Sequence, residues 1–187
     1  HMQCQAVPLV KPDSPIVGTG MEGVVSEVMN RVARAPFAGK VTFVDATKIS
    51  IEGTKGEKAT FLISSFSRTS QATSYTQRAA VVEGQHVKKG DLLVDGPSSQ
   101  NGELALGQNL LIAYASLDGL GYEDAIVISE RLVKEDVLSS IHIERHEAAV
   151  VETKLGPEEI TPDIPNVSEE ELAHLDAEGI IVVGSEV

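Results

Sequence analysis

Apolar and polar residues alternate most clearly between residues 40 and 65. Residues 40–44 and 48–52 alternate on either side of the polar triplet Asp45-Ala46-Thr47, a pattern that predicts a β-hairpin. After a polar turn the alternation resumes over residues 59–65, which predicts a further strand. This part of the chain is therefore expected to contain a hairpin and one further strand.

The first 29 residues have no comparable period. Residues 3–20 contain Pro8, Pro12 and Pro15, and they predict an extended, irregular segment. In residues 21–29 the apolar positions fit helical spacing, but β-branched valines lower helix propensity. A short helix and a strand both remain open there.

A glycine-punctuated pattern, V-x-x-G-x-x-V-x-x-G-D-x-L, covers residues 81–93. Gly84 and Gly90 permit positive φ at two tight turns, and Val87 between them predicts a short strand packed on the core. The pattern resembles the sandwich–barrel hybrid modules of biotinyl and lipoyl carriers. The carriers' lysine within a tight hairpin is absent, so the pattern favours a structural module over cofactor attachment.

An apolar run at residues 110–115 predicts a buried strand, and a second run follows at residues 126–128. Between them, after a loop with two glycines, stand the adjacent carboxylates Glu123 and Asp124. Two neighbouring acids beside apolar strands are costly unless they meet a cation, a metal or water. Pattern alone favours a solvated pair at a strand edge and leaves a functional pair open.

The remaining elements are predicted from caps and alternation. Ser129 is expected to cap a helix over residues 130–137, and residues 140–152 alternate as one long strand. Ser168 and Glu171 have the spacing of a capping box for a further helix.

In that last helix Leu172 and Leu175 are expected to be the buried stripe, and Gly179 is expected to end it. Residues 180–183 then predict a strand.

Composition excludes several classes of protein. Aromatic residues make up 4% of the 187 residues and Trp is absent, which argues against a stacking platform for single-stranded nucleic acid. One cysteine fits a reducing compartment, and no apolar run approaches membrane-spanning length. Residues 1–91 hold 11 Lys and Arg against 8 Asp and Glu, whereas residues 92–187 hold 4 against 20. Taken alone, this charge points away from a free-standing nucleic-acid binder, or towards a piece of a larger assembly.

Other candidate chemistry is weak. His142 and His146 are four residues apart, but on a strand that spacing separates them by roughly 13 Å, too far for one ion. Gly18-Thr19-Gly20 does not follow a strand and fails as a dinucleotide fingerprint. Exposed histidines and a structural turn are the better interpretations.

Many separate blocks resemble the bacterial DNA-directed RNA polymerase β subunit, in family order over nearly the whole chain. The blocks are residues 3–9, 18–22, 95–98, 102–109, 122–131, 141–143 and 153–167. The run Thr153-Lys-Leu-Gly-Pro-Glu-Glu-Ile-Thr161, continued by Asp163-Ile-Pro-Asn-Val167, is close to a signature of that family. The chain resembles a central fragment of the subunit, from the hybrid-binding and core-barrel region into the flap.

The resemblance implies site residues. Glu123 and Asp124 match the family's Glu-Asp pair near the catalytic magnesium. The resemblance implies that they hold a second Mg²⁺, either directly or through water. Most of the magnesium ligands are expected to come from the partner β′ subunit. Gln5 matches a Gln near the RNA 3′ end and the template hybrid. Arg68 matches an Arg in a polar core loop, for which contact with nucleic acid or a partner is expected.

Three stretches depart from the family pattern. Cys4 stands where the family has an active-site Arg, and residues 68–74 keep only the Arg, Gln and Thr of the family loop. Residues 115–121 replace the family's Met-Pro-Trp-x-Gly-Tyr-Asn. These changes affect fine contacts and leave Glu123 and Asp124 in place.

The sequence thus predicts a mainly β fold with a few short helices: a sandwich–barrel hybrid, part of a double-psi-type β-barrel and the start of the flap. The expected divisions are residues 1–29 (lead-in), 30–100 (hybrid module), 101–140 (core-barrel strands) and 141–187 (truncated flap).

The expected activity is nucleotidyl transfer within a multisubunit bacterial, cytoplasmic polymerase, with β′, α and sigma subunits, DNA template, nascent RNA and nucleoside triphosphates as partners and no membrane. The fragment alone is expected to be inactive. The alternative is a non-catalytic, carrier-like or scaffolding β-module.

Overall fold

The computed structural model describes residues 1–185, so the last two residues of the predicted flap segment lie outside the described part. Short strands make up most of its regular structure, together with one 3₁₀ turn at Met2–Gln5 and three α-helices within the described residues. The helices are α1 (Glu22–Val28), α2 (Glu130–Lys134) and α3 (Glu169–Leu172). The strands are β1 (Ala33–Arg34), β2 (Gly39–Val44), β3 (Lys48–Gly53), β4 (Lys58–Leu62), β5 (Ser67–Arg68), β6 (Ser74–Tyr75), β7 (Arg78–Ala79), β8 (His86–Val87), β9 (Leu92–Asp95), β10 (Ser99–Gln100), β11 (Glu103–Leu104), β12 (Glu152–Thr153) and β13 (Gly156–Pro157).

The predicted hairpin is confirmed as β2 and β3, which pair antiparallel in a four-stranded sheet of order β4-β3-β2-β8. Asp45 shapes its turn, since its Oδ1 accepts hydrogen bonds from the amides of Thr47 and Lys48, each at 2.7 Å. These amide donors hold the pKa of Asp45 below its ordinary value. The alternation seen in the sequence therefore places Val41, Ile49 and Ile51 on the buried face.

A second sheet, of order β1-β9-β7, supplies the other half of the core. Its Leu93 and Val94 are fully buried and cluster with residues of the first sheet. Val87 on β8 joins this core, and both Gly84 and Gly90 have positive φ, at 85° and 92°. The structural interpretation of the glycine-punctuated pattern is confirmed.

The mainly β prediction is confirmed, although no sheet closes into a barrel within residues 1–185. Of the two alternatives left open for residues 21–29, the structure has the helix, α1, which contacts β11. Ser129 caps α2 as expected: its Oγ accepts from the amide of Arg131. The helix ends at Lys134, three residues earlier than predicted. Across the described residues, no helix is long and apolar enough to cross a bilayer.

Two strands predicted before residue 153 are wrong. Residues 110–115 form no strand, and Leu111 and Tyr114 are fully exposed. Residues 140–152 are likewise not one long strand; they make a single bridge, between His142 and Thr73, before the short β12. The apolar alternation is present in both stretches, but a strand also needs a hydrogen-bonding neighbour, and the described residues supply none along most of their length.

Residues 1–144 form one compact unit, and the described residues from Arg145 onwards form a second. Within it the capping box is confirmed: Ser168 accepts from the Glu171 amide, and the Glu171 carboxylate accepts from the Ser168 amide. The Ser168 hydroxyl also lowers the pKa of Glu171.

The end of α3 differs from the prediction. The helix stops at Leu172, and Gly179 instead closes a tight turn that begins at Asp176, with φ 78°. Leu172 and Leu175 are half-buried. Residues 180–183 make only an isolated bridge, between Ile181 and Leu175, and not a strand. The boundaries proposed for the lead-in, hybrid module, core-barrel and flap regions stay predictions.

Candidate functional site

Gln5 lies in the 3₁₀ turn at the start of the chain, on the wall of a cleft of about 510 Å³. The same cleft is lined by Gln71 and Thr73 from the loop between β5 and β6, and by His142. Cys4 is exposed and lines it as well. The structure therefore brings together three predicted features, although they are separated by up to 137 positions: the Gln5 segment, the altered 68–74 loop and one of the two histidines.

His142 is exposed, as predicted, and its Nε2 lies 2.8 Å from the Ser140 hydroxyl. Tyr75, on β6, also lines the cleft; burial raises its pKa, and its hydroxyl donates to the Asn30 carbonyl. Hydrogen-bond donors and acceptors thus surround a largely apolar cleft.

Arg68 stands beside this cleft on β5, with an exposed side chain. Its Nε donates to the Ile143 carbonyl oxygen at 2.8 Å, and the Ile143 amide in turn donates to the Ala72 carbonyl. Part of the guanidinium therefore serves to hold the 141–143 segment against the β5–β6 loop. The rest of its charge faces solvent, where a phosphate could pair with it.

Glu123 and Asp124 lie in an exposed turn that the Ala125 amide closes by donating to the Tyr122 carbonyl. Glu123 has a left-handed backbone conformation, with φ 55°, which no strand adopts. Neither side chain has a hydrogen bond or ion pair to another residue in the described part of the chain. The two residues are adjacent in sequence, and neither lines the Gln5 cleft.

The donor chemistry of this pair fits magnesium in one limited role. Mg²⁺ prefers oxygen ligands and is commonly held by one or two carboxylates while waters and substrate phosphates complete its shell. Glu123 and Asp124 supply two such carboxylates, with no cation already paired to them in the described part. Among residues 1–185 there is no cluster of three or more His, Cys, Asp or Glu that could hold a metal ion by itself. The pair can therefore contribute to a magnesium site but cannot form one alone.

Sequence reasoning missed the buried carboxylate of Asp95, which is 4% exposed. Its Oδ1 accepts from the Ser99 hydroxyl at 2.6 Å, and its Oδ2 accepts from the Asn101 amide at 2.9 Å. Arg78 Nη2 lies 3.7 Å from Asp95 Oδ2 and forms an ion pair with it. The signal was available, because an Asp directly before Gly-Pro-Ser-Ser is typical of a side chain that caps its own turn.

The comparisons with known proteins agree with the resemblance seen in the sequence. The family described as RNA polymerase Rpb2, domain 6, matches residues 34–187. A protein of Streptomyces coelicolor named DNA-directed RNA polymerase subunit beta is 52% identical over all 187 residues. A protein of the same name from Streptococcus pneumoniae serotype 19F is 48% identical over the same length. The chain spans 16% of the length of each of these relatives. On this evidence, the chain belongs to the family of the bacterial DNA-directed RNA polymerase β subunit.

Proposed function

We propose that this chain works in DNA-directed RNA synthesis as a central part of a polymerase β subunit. The reaction is attack of an RNA 3′-hydroxyl on the α-phosphorus of a nucleoside triphosphate, with pyrophosphate as the leaving group. The observation that carries the proposal is the pair Glu123 and Asp124: two adjacent, exposed carboxylates without partners in the described residues, in a chain of this family.

In this proposal Glu123 and Asp124 would bind Mg²⁺ with their own carboxylate oxygens or accept hydrogen bonds from waters bound to it. Magnesium, when bound, neutralises charge on the triphosphate. The main ligands belong to the partner β′ subunit. Gln5 donates and accepts hydrogen bonds at the transcript end, and Arg68 pairs with a phosphate or an acidic partner group. The α and sigma subunits complete the assembly, in the cytoplasm of a bacterium.

The test is substitution of both acids by Ala in full-length β, assembled into polymerase. We expect nucleotide addition to slow by at least about tenfold, on the order of 1.4 kcal/mol in barrier height. We also expect half-maximal rate to require more Mg²⁺, because two oxygen ligands or water acceptors are gone. Both quantities come from single-nucleotide extension on a preformed scaffold, measured over a magnesium titration.

Glu130→Ala is the matched control, since Glu130 is an exposed acid seven residues from Glu123 whose carboxylate pairs with Lys134. It removes one negative charge nearby and should leave both quantities unchanged. Wild-type nucleotide addition and transcript cleavage in the doubly substituted polymerase would refute the assignment. That result would favour the scaffolding β-module, for which the acid pair has no role. Transcription by the isolated chain would refute the expectation that the fragment is inactive.

A further inference from the structure

The segment that follows Gln5 is held by three amide side chains distant in sequence. The Ser14 amide donates to Gln100 Oε1 at 2.7 Å, and Asn109 Nδ2 donates to the Ser14 carbonyl oxygen at 2.8 Å. Gln108 Nε2 donates to the Lys11 carbonyl oxygen. We call Gln100, Gln108 and Asn109 the amide clamp.

Two further hydrogen bonds hold residues 13 and 14 of the same segment. The Asp13 amide donates to the Gly107 carbonyl at 2.8 Å, and the Ser14 hydroxyl donates to the Gln100 carbonyl at 3.2 Å. Gln100 belongs to the β10–β11 hairpin, whose turn the buried Asp95 carboxylate fixes through Asn101. Gln100 is thus carried by a hairpin whose turn a buried carboxylate fixes, while the segment that the clamp holds has no strand of its own.

The backbone groups of Ser14 determine whether each amide side chain presents its oxygen or its nitrogen. A backbone N–H can only donate, so Gln100 must present its oxygen to Ser14; a carbonyl can only accept, so Asn109 must present its nitrogen. The two amides therefore grip opposite polar groups of one residue. Conversion of each amide to the nearly isosteric acid keeps the first contact and replaces the second by oxygen–oxygen repulsion.

The segment that the clamp holds, residues 11–14, is separated from Gln5 by only a short stretch of chain with limited conformational freedom. Residues 6–10 connect them, with an extended conformation at Ala6 and the fixed φ of Pro8. Between the clamp and Gln5 the segment is also tied at Val10, whose amide donates to the Ser139 carbonyl at 2.9 Å. An extended chain advances about 3.3–3.6 Å per residue, so a slip of one position at Ser14 displaces the segment that leads to Gln5 by up to that distance. Residues 3–8 line the cleft against α1 and the 69–75 region, where such a shift changes what Gln5 can reach.

We propose that Gln100 and Asn109 are positioning residues, which set the place of Gln5 by gripping Ser14. This inference rests on the proposed function and extends it to residues that do not contact the reacting groups. In this proposal the block at residues 102–109, which ends in Asn109, helps to position Gln5 and takes no part in the chemical step.

The experiment uses assembled polymerase with full-length β carrying Gln100→Ala, Gln100→Glu or Asn109→Asp. Gln100→Ala and Asn109→Asp should slow nucleotide addition about tenfold, because small misplacements at a reacting centre are costly. Gln100→Glu should restore most of what Gln100→Ala loses. Gln85→Glu is the control, since Gln85 Oε1 also accepts from a backbone amide, that of Val82, but on the β7–β8 side of the hybrid module.

Two further measurements separate positioning from general stability. Hydrogen exchange of the Asp13 and Ser14 amides should quicken in Gln100→Ala and Asn109→Asp and not in Gln100→Glu. In a Gln5→Ala background, Asn109→Asp should add little further loss, because both changes act through the same side chain. Additive losses, unchanged exchange, or equal effects of Asn109→Asp and Gln100→Glu would each overturn the proposal.

Failure of the proposed function has a different signature. If Gln5→Ala alone leaves nucleotide addition unchanged, the role given to Gln5 is wrong, and with it the catalytic consequence of the clamp. Exchange of the Asp13 and Ser14 amides would still report whether Gln100 and Asn109 hold the segment.

Discussion

At the scale of single residues, the difference between the two kinds of acid in this chain is burial. Asp95 is enclosed and satisfied by the Gly96 amide, the Ser99 hydroxyl and the Asn101 amide. Glu123 and Asp124 are exposed and have no such donors in the described residues. A buried, fully bonded carboxylate supports the fold, whereas an exposed, unpartnered pair is available for a ligand.

Asp95→Ala should lower the free energy of unfolding of the chain by about 3 kcal/mol, because buried donors lose a charged acceptor. Chemical denaturation followed by circular dichroism measures the change. Asp91→Ala is the matched control: Asp91 is exposed and accepts from one amide, that of Lys88, so its loss should cost less than about 1 kcal/mol. Equal losses for the two variants would contradict the structural role of Asp95.

At the scale of elements, α1 and the β2–β3 hairpin respond oppositely to the same substitution. A Cβ on Gly39 would lie 2.8 Å from the Glu52 carbonyl carbon and 2.9 Å from Gly53 Cα, so the two strands would have to separate. A Cβ on Gly23, inside α1, would meet its nearest neighbour, the Gly102 carbonyl oxygen, at 3.9 Å. Backbone proximity makes glycine necessary at the first position and merely tolerated at the second.

Gly39→Ala should therefore destabilise the chain by about 2 kcal/mol, through backbone overlap in the sheet. Gly23→Ala should stabilise it by about 0.5–1 kcal/mol, because alanine is the better helix former. Thermal unfolding of the two variants beside the parent chain gives both signs in one experiment. A stabilised Gly39→Ala protein would show that β2 and β3 are not so closely paired.

At the scale of the whole molecule, apolar side chains are exposed through residues 110–128. Leu111 is fully exposed, and Ile126 is 85% exposed, although the sequence pattern assigned both to strands. Contiguous exposed apolar surface in a soluble protein marks an interaction site or a tendency to associate. The predicted core-barrel strands therefore retain their apolar residues here without the packing that would cover them.

The isolated chain is expected to self-associate through this stretch. Leu111→Ser with Ile126→Ser should shift sedimentation towards the monomer, because each change removes exposed apolar area. Leu155→Ser is the control, since Leu155 is fully exposed but lies in the turn between β12 and β13. A parent chain that stays monomeric at high concentration, or an equal response to Leu155→Ser, would contradict the prediction.

The hairpin, the two glycine turns, the caps of α2 and α3 and the mainly β class could all be predicted, because each depends on neighbours a few positions apart. The strands at 110–115 and 140–152 could not, since an alternating pattern shows which face would be buried but not whether a neighbouring strand exists to pair with it. The Glu123-Asp124 pair could be found from sequence for the same local reason. Its exposure was the interpretation that the pattern favoured, but its place in a left-handed turn and not at a strand edge was not predicted.

The sequence by itself determined the family, the local turns and the chemically available acids, because motif spacing and side-chain type are properties of short segments. The tertiary structure alone decided what meets across long separations: Gln5 beside the β5–β6 loop and His142, Arg68 on the Ile143 carbonyl, and Ser14 between Gln100 and Asn109. The residues brought together in this way are 64 to 137 positions apart in the sequence. No period or propensity encodes such pairings, because they depend on which distant segments the folded chain brings side by side.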